Sequence, residues 1–362
     1  MVNYFHFLYK QTIKNRFIWL AVPLLLLCIL GLWISYYVQS EDPFLTQMDQ
    51  NIQLTEETIT TFQGEDEVDG LQDQLAMLQL IKENYSQGNY QEAYQKALNA
   101  TEEQELFKRN LQNREETLLM WQALAEKNLP MEQSGKEKTG FLFLYRWLDA
   151  LFPLLVILVA SFVMTLIISA SYRERINQDW LLPLSALKMT ATKILFSAIF
   201  IIGTLTTITL LMFFLSSIFA GSGSSRYPII MYTATGLSLA PLSVVLKQSL
   251  VLVLLSLLAV IGTSRVFMQL TKNQLVAFFA TFFFLVGQSY LPSTMKSFQK
   301  IAHLLPGYYI QATKCVTGVL ATSSNNSQVT FDQGVWVLGR YIVIIICVSY
   351  FIDWLHGISR LA

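Results

Sequence analysis

Long apolar runs alternate with polar segments along the whole chain. Six of these runs hold about 17–26 residues, which is the length range in which a helix crosses the hydrocarbon core of a bilayer. The pattern predicts an all-α polytopic membrane protein with about six transmembrane helices, at residues 17–38, 150–171, 194–219, 241–262, 275–291 and 335–354. The run 275–291 is the shortest, so five and seven spans are the alternative counts.

The first sixteen residues have the pattern of an amphipathic helix that lies on the membrane surface. A helix turns by about 100° per residue, which gives this segment one apolar and one polar face. The apolar face carries Tyr4, Phe5, Leu8, Tyr9 and Ile13, and the polar face carries Asn3, Lys10 and Lys14. The alternative is a positively charged flank that orients the first span. Because the run 17–38 is too long for the core of a signal peptide, we expect an uncleaved span.

The segment 39–145 is acidic and predicts a helical domain outside the membrane. Residues 39–140 hold 20 acidic and 8 basic residues. Apolar residues recur there at helical spacing. Gly88 and Asn89 have the composition of a tight turn between two helices, and 64–70 that of an acidic linker. We expect an antiparallel helical hairpin stacked on the outer ends of the spans.

Charge asymmetry orients the predicted spans. Loops on the cytoplasmic side of membrane proteins carry an excess of lysine and arginine. With the N-terminus inside, the cytoplasmic loops are 172–193 and 263–274, and the acidic domain 39–145 is extracytoplasmic. Both termini are then cytoplasmic. The basic residues on that side include Arg173, Arg175, Lys188, Lys193, Arg265, Lys272 and Arg360.

The amino-acid composition of the chain indicates where it lies and which partners are not expected. The chain is 53% hydrophobic and 14% charged, with equal numbers of acids and bases. A soluble domain has about 25% charged residues, so the chain lies largely in lipid, and nucleic acid is not an expected partner. Cys28, Cys315 and Cys347 form no metal-binding or disulfide pattern. We expect buried structural thiols.

The sequence has no motif for catalysis. It lacks a phosphate-binding loop, a zinc-protease helix and a nucleophile elbow. Lys247 and Arg340 fall inside predicted spans near their outer ends, Asp353 lies at the inner end of the span 335–354, and no acid occupies the middle of a span. A carrier driven by protons or sodium ions usually needs such an acid. We therefore expect a chain that is not an enzyme, that binds no cofactor or metal, and whose energy is supplied elsewhere.

The charged segment 172–193 lies between the second and third spans. It combines an aromatic and aliphatic group, Trp180, Leu181 and Leu182, with flanking charges. Aromatic anchors of this kind dominate protein interfaces, and the flanking charges fix register. The segment is typical of a loop that receives force from a soluble partner. The alternative is an ordinary interfacial loop with Trp180 as a belt residue.

Three features in this order resemble the membrane subunit of type-2 ABC exporters. The first is the amphipathic N-terminal helix that leads into span one. The second is the loop 172–193, with its Arg-Glu-Arg group, a short helix, a Pro-Leu-Ser turn and Lys193. The third is the outer segment 292–334, where Leu304, Leu305, Pro306, Tyr308, Ala312 and Gly318 match a degenerate family pattern. The insert 39–145 is longer than in compact members and matches the branch with a large outer insert.

The resemblance implies how the chain is coupled to its energy source. A coupling helix would dock on a separate nucleotide-binding subunit, which binds ATP and Mg²⁺, and a second permease subunit would complete the pathway. The coupling residues would be Arg173, Glu174, Arg175, Asp179, Trp180, Leu181, Leu182 and Pro183. An outer gate region would be formed by Leu305, Pro306, Tyr308 and Tyr309.

The expected function is that of a permease subunit of an ATP-driven exporter in a bacterial cytoplasmic membrane. Its substrate would be amphiphilic: a peptide, a lipid-linked molecule or a drug. The main alternative is a sensor or immunity protein that binds an extracellular peptide without transporting it. A lipid- or peptide-modifying membrane enzyme and a secondary carrier are further alternatives. We also hypothesise that the acidic outer domain guards the exit or binds a cationic peptide.

Overall fold

The computed structural model describes residues 2–39, 41–61, 65–103, 114–170, 172–173, 176–177 and 186–358. The described chain is almost entirely helical. Its helices are α1 Val2–Lys14, α2 Arg16–Gln39, α3 Pro43–Thr61, α4 Glu65–Ser86, α5 Tyr90–Glu103, α6 Arg114–Lys127, α7 Gly140–Ala150, α8 Ile157–Ser169, α9 Ala186–Ala220, α10 Leu242–Thr271, α11 Gln274–Thr294, α12 Lys296–Gln299, α13 Ala312–Val316, α14 Val319–Ser323 and α15 Phe331–Ile358.

Short irregular elements complete the fold. A π-helical turn, Phe152–Val156, leads directly into α8, and 3₁₀ turns occupy Ala302–Leu304 and Pro306–Ile310. The described residues also contain two antiparallel hairpins. The first pairs β1 Tyr172–Arg173 with β2 Ile176–Asn177, and the second pairs β3 Pro228–Thr233 with β4 Gly236–Pro241.

Six helices in the described part of the chain are long and apolar enough to cross a membrane. They are α2, the π turn together with α8, α9, α10, α11 and α15. This confirms the predicted number of spans and indicates a multi-pass membrane protein. α10 is central, because it packs along α8, α11 and α15. α9 and α15 expose most of their apolar side chains, as expected of helices that face lipid or another membrane subunit.

Several elements of the described structure extend beyond the predicted bounds. α10 extends to Thr271, so most of the predicted loop 263–274 is helical. α9 already includes residues 186–193 of the predicted coupling loop. Residues 65–70 of the predicted acidic linker belong to α4. The segment 221–240 begins with the run Gly-Ser-Gly-Ser-Ser, which predicts a flexible loop, and its later residues form most of the β3–β4 hairpin.

The two ends of the helix bundle differ in what they carry. α1, the end of α8, the start of α9, the α10–α11 turn and the end of α15 lie at one end, which we call the terminal end. The Gln11 Nε2 donates to the Ala170 carbonyl at 2.8 Å and ties α1 to this end. α3–α7, the β3–β4 hairpin and residues 296–330 lie at the other end, the domain end. Both described chain ends therefore lie on the same side of the bundle.

Helix α1 packs through one face only. Tyr4, Leu8 and Thr12 are buried. The Phe5 ring lies edge-on to Phe196 at 5.1 Å between centroids. The remaining predicted apolar residues, Tyr9 and Ile13, are exposed. This arrangement leaves an apolar strip beside the face that contacts the bundle, and its contact with a membrane surface stays a prediction.

Helices α3–α6 form a small domain with an aromatic core. The Phe44 ring lies 4.5 Å from Tyr85, 4.9 Å from Tyr94 and 5.3 Å from Trp121, measured between ring centroids. The Tyr85 hydroxyl donates to Asp42 Oδ2 at 2.9 Å. The predicted turn at Gly88 is confirmed, with φ +84° between α4 and α5. This core fixes the start of α3 against α4, α5 and α6.

The prediction of buried thiols is confirmed for one of the three cysteines. Cys315 is buried in α13, whereas Cys28 and Cys347 are exposed. Both exposed thiols lie within spans, on faces that point away from the bundle. The apolar runs therefore identified membrane location, but they did not distinguish the packed face from the outward face.

Candidate functional site

The predicted coupling residues lie largely outside the described part of the chain. The backbone of β1 and β2 is described, so that Arg173 pairs with Ile176 across the hairpin. The side chains assigned to coupling lie outside the described residues: Arg173, Glu174, Arg175, Asp179, Trp180, Leu181, Leu182 and Pro183. Their contact with a partner stays a prediction.

A buried polar network lies at the terminal end, close to the start of α9. Arg265 of α10 and Asp353 of α15 are only 6% and 8% exposed. The guanidinium NH2 group of Arg265 donates to Asp353 Oδ2 at 2.9 Å and to Thr190 Oγ1 at 2.8 Å. Its Nε donates to Ser349 Oγ at 2.9 Å. We call Thr190, Arg265, Ser349 and Asp353 the polar network.

The polar network joins three spans. The Thr190 hydroxyl, in the second turn of α9, donates to Asp353 Oδ2 at 2.9 Å. Gln269 Nε2 donates to the Ser349 carbonyl at 3.2 Å and extends the contact by one turn of α10. A buried ion pair is stable only when its remaining donors and acceptors are hydrogen-bonded, as most of them are here. The network therefore fixes α9, α10 and α15 to one another where α9 leaves the coupling segment.

Lys247, Arg340 and Asp353 fall inside predicted spans, and this network adds Arg265, which lies past the predicted end of its span at Gly262. Arg265 lies within α10 and Asp353 within α15. Lys247 is exposed, and the Arg340 guanidinium lies over the Trp336 ring at 5.4 Å. The apolar residues that continue past Gly262, including Val266 and Met268, are the sequence signal that α10 is longer than the predicted span.

The residues predicted as an outer gate come together at the domain end. Tyr308 and Tyr309 are fully buried and Leu305 is half-buried. The Tyr308 hydroxyl donates to the Leu320 carbonyl at 3.2 Å, and the Tyr309 hydroxyl donates to the His303 carbonyl at 3.0 Å. The 3₁₀ turn that begins at Pro306 packs against α11 and α15. These contacts make the segment a packed element of the bundle, and its role as a gate stays a prediction.

A cavity of about 600 Å³ lies at the domain end, where the helical domain meets the membrane helices. Its wall comes from six parts of the chain: the start of α3, α6, residues 131–137, α7, β3 and residues 317–319. We call it the acidic cavity. It is lined by Glu41, Pro43, Thr46, Gln47, Gln50, Glu116, Thr117, Met120, Met131, Glu132, Gln133, Ser134, Glu137, Leu142, Tyr145, Tyr227, Pro228, Ile229, Ile230, Tyr232, Thr317 and Val319.

Four carboxylates line the acidic cavity, and none of its described lining residues is a lysine or arginine. Glu116 accepts a hydrogen bond from the Tyr232 hydroxyl at 3.0 Å. Glu132 accepts from the Lys138 backbone N–H at 3.1 Å and so holds the 132–138 turn in place. Glu41 is exposed at the rim. The wall therefore has a negative charge of its own.

Glu137 is the most buried of these carboxylates, with 8% of its surface exposed. Its Oε2 makes no hydrogen bond and lies 3.6 Å from Arg146 Nε. Burial raises the pKa of the Glu137 carboxyl, and the Arg146 guanidinium opposes that shift only in part. Arg146 is also shared with Asp149, whose Oδ2 accepts from NH1 at 3.0 Å. The Arg146 guanidinium is therefore shared between the Glu137 and Asp149 carboxylates.

The rest of the wall is aromatic and apolar. Tyr145, Tyr227 and Tyr232 contribute three rings, and Met120 and Met131 contribute two thioethers. The Tyr227 hydroxyl accepts from the Glu132 backbone N–H at 3.1 Å, which holds its ring against the 132–138 turn. The cavity thus combines negative charge with adaptable apolar surface.

Sequence reasoning missed this site. Its signals were the acid excess of 39–140 and the hypothesis of a cationic ligand, but neither indicated which acids converge. Within the described residues, no group of three histidine, cysteine, aspartate or glutamate side chains is arranged to hold a metal ion.

Comparison of the chain with protein-family models, with curated proteins and with solved structures finds no match.

Proposed function

We propose that this chain is the permease subunit of an ATP-driven ABC exporter in a bacterial cytoplasmic membrane. It would move an amphiphilic substrate outward, with both termini in the cytoplasm. The observation that carries the proposal is the polar network at the terminal end. It links α9, which follows the coupling segment, to two further spans through Arg265 and Asp353. This is a suitable device for transmitting force from a soluble motor into the bundle.

The proposed mechanism follows from that linkage. ATP and Mg²⁺ would be bound by a separate nucleotide-binding subunit, which would press on residues 173–183. α9 begins at Ala186, three residues after Pro183. Since Thr190 is hydrogen-bonded to both Arg265 and Asp353, a displacement of the segment would move α9, α10 and α15 together. Interfaces of this kind switch between two packed arrangements.

A second permease subunit, identical or homologous, would complete the pathway. α9 and α15 expose apolar side chains along most of their length, including Phe214, Ile218, Trp336 and Val343. Apolar faces of spans bind either lipid or the spans of a neighbouring subunit. The proposal assigns part of this surface to the second permease.

The test is co-purification with an ATPase from the native membrane, using wild type and the Trp180→Ala/Leu182→Ala double variant. We expect wild type to retain an ATP-hydrolysing partner and the double variant to bind it at least about 30-fold more weakly, as is typical when a hot-spot anchor is truncated. The measurements are partner recovery on the affinity resin and ATP hydrolysis per milligram of complex.

The matched control is Trp354→Ala/Leu355→Ala. It removes the same two residue types at the same end of the bundle, from the exposed surface of α15. We expect this control to retain the partner. A wild-type chain that purifies without an ATPase, or two double variants with equal partner loss, would contradict the proposal.

A sensor or immunity protein is the second candidate, and the acidic cavity favours it. The cavity lies between the helical domain and the membrane helices, where a bound ligand would alter how the two pack. This candidate predicts that ligand binds without being moved across the membrane. Proteoliposomes supplied with the nucleotide-binding subunit and ATP distinguish the two functions, since only an exporter accumulates the ligand on the far side.

A further inference from the structure

We infer that the acidic cavity binds an amphiphilic cation: an ammonium or guanidinium group carried on an apolar or aromatic body. The inference deepens the proposed function, and it rests on that function only in taking the bound cation to be the transported substrate. The binding itself follows from the volume, the charge and the lining of the cavity, which are independent of the nucleotide-binding subunit.

The volume fits an organic ligand. Sites for small molecules usually enclose about 300–1,000 Å³ and are concave, with a few convergent polar groups in a mostly apolar wall. The acidic cavity has a volume of about 600 Å³. A drug-sized amine or a few residues of a peptide would occupy it, whereas a single inorganic ion would leave it largely open.

The charge selects a cation. Glu41, Glu116, and the pair Glu132 and Glu137 approach the cavity from three parts of the chain. A carboxylate that is withdrawn from water is unfavourable unless a positive group accompanies it. Arg146 is the cation paired with Glu137, and it also forms an ion pair with Asp149. The four carboxylates thus outnumber the nearby positive charge.

Glu137 is the buried part of this negative charge. It is more than nine-tenths buried and lines the cavity, and its Oε2 makes no hydrogen bond but lies 3.6 Å from Arg146 Nε. Because the Arg146 guanidinium also pairs with Asp149, the charge of Glu137 is compensated only in part. A cation bound in the cavity would add to that compensation through its electrostatic attraction.

The remaining lining selects an apolar or aromatic body. The faces of tyrosine rings attract cations, and Tyr145, Tyr227 and Tyr232 all contribute to the wall. Met120 and Met131 are unbranched and adapt to ligands of different shape. A small hydrated cation uses neither property. The carboxylates together with the tyrosine and methionine side chains therefore fit a molecule that has a charged end and an apolar end.

The test uses the full chain in lipid nanodiscs, without nucleotide or partner, and two fluorescent cations. Dansylcadaverine is a primary amine on an alkyl chain, and dansyl-Lys-Leu-Lys-Leu-amide carries the same chemistry on a peptide. N-acetyl-dansylcadaverine is the neutral counterpart, and empty nanodiscs measure partition into lipid. We expect saturable binding of at least one cation, and binding of the neutral compound no higher than in empty nanodiscs. The cation that binds more tightly shows whether the ligand of the cavity is a small amine or a peptide.

Two variants change the cavity in different ways. Glu41→Gln/Glu116→Gln removes two carboxylates, and we expect binding about ten-fold weaker or more, since hydrogen bonds to charged groups are among the strong ones. Gln47→Lys leaves all four carboxylates in place and adds a cation to the wall, and we expect it to abolish saturable binding. Because Gln47→Lys removes no carboxylate, it remains informative if the first variant folds poorly.

The matched control is Glu57→Gln/Glu126→Gln. Both residues are exposed, one on α3 and one on α6, and neither lines the cavity. The control removes the same net charge as Glu41→Gln/Glu116→Gln, and we expect its affinity to stay within two-fold of wild type. Equal loss in the control, unaltered binding in both cavity variants, or binding of neither cation would overturn the inference.

The outcome is separable from that of the proposed function. Cation binding that depends on the cavity, in a chain that never recovers an ATPase, supports the inference and removes the exporter. An ATPase partner recovered with a chain that binds neither cation overturns the inference and leaves the exporter in place.

Discussion

Replacement of Asp353 by alanine is expected to remove about 3–5 kcal/mol of stability, the usual cost of leaving one partner of a buried ion pair without its counter-charge. In the variant the Arg265 guanidinium remains buried, and of its hydrogen bonds only those to Thr190 and Ser349 remain. Thr190 also loses the acceptor for its hydroxyl. The measurement is thermal unfolding of the detergent-purified protein, together with its accumulation in the membrane.

Two further variants test whether the stability lost in Asp353→Ala comes from the buried charge that is left unpaired. Asp332→Ala makes the same change at an exposed position in the first turn of α15. We expect it to cost no more than about 1 kcal/mol, the value of a favourable charge at a helix start. Arg265→Leu/Asp353→Leu replaces both charges by apolar groups and is expected to recover most of the lost stability. Equal melting temperatures for Asp353→Ala and Asp332→Ala would contradict the prediction.

The recovered double variant also tests what the polar network does beyond stability. If the network transmits movement from the coupling segment, a folded chain without it should still bind the nucleotide-binding subunit. Its ATP hydrolysis should no longer respond to substrate, because α9 can then move without α10 and α15. A double variant with wild-type stimulation would assign the network to folding alone.

The membrane architecture was predictable because the bilayer imposes one requirement on every span. A helix must hide its backbone polar groups across about 30 Å of hydrocarbon, so about 20 apolar residues appear in the sequence. That requirement says nothing about where a helix ends. α10 continues to Thr271 because Arg265 and Gln269 find partners on α15, and such partners are a property of the folded bundle.

The β3–β4 hairpin could not be predicted from the local sequence pattern. The Gly-Ser run at 221–225 indicated a loop and lies outside regular structure, but it did not indicate that β3 and β4 pair from Pro228 to Pro241. The Tyr232 backbone N–H, in β3, donates to the Thr317 carbonyl at 2.8 Å. This contact joins segments about 85 residues apart. A contact of that kind leaves no periodicity in either segment, so single-sequence reasoning had no signal for it.

The acidic cavity was unpredictable for the same reason. Glu41, Glu116 and Glu137 are far apart in the chain and converge only because α3, α6 and α7 pack around one space. The sequence indicated an excess of acid and therefore a cationic partner. It did not distinguish these carboxylates from exposed ones such as Glu57 and Glu126.

Substitution of Gly318 by alanine is expected to be the most damaging small change at the domain end, with a loss of about 3 kcal/mol or more. Gly318 has φ +79°, a left-handed conformation that costs a residue with a Cβ about 1–2 kcal/mol. A Cβ at this position would also overlap the Tyr232 carbonyl oxygen. Since that oxygen belongs to the backbone, it cannot rotate away. The chain would have to separate there and lose the Tyr232–Thr317 hydrogen bond, worth about 1 kcal/mol.

Gly88→Ala is the control that isolates the overlap from the strain. Gly88 has nearly the same conformation, φ +84°, but a Cβ there meets nothing within 4 Å. Its expected cost is therefore the conformational term alone. Because Tyr232 and Thr317 both line the acidic cavity, Gly318→Ala should also weaken cation binding, whereas Gly88→Ala should leave it unchanged. Melting temperatures lowered equally by the two substitutions would show that Gly318 does not hold the β3–β4 hairpin against residues 317–319, and the wall of the cavity would then need another support.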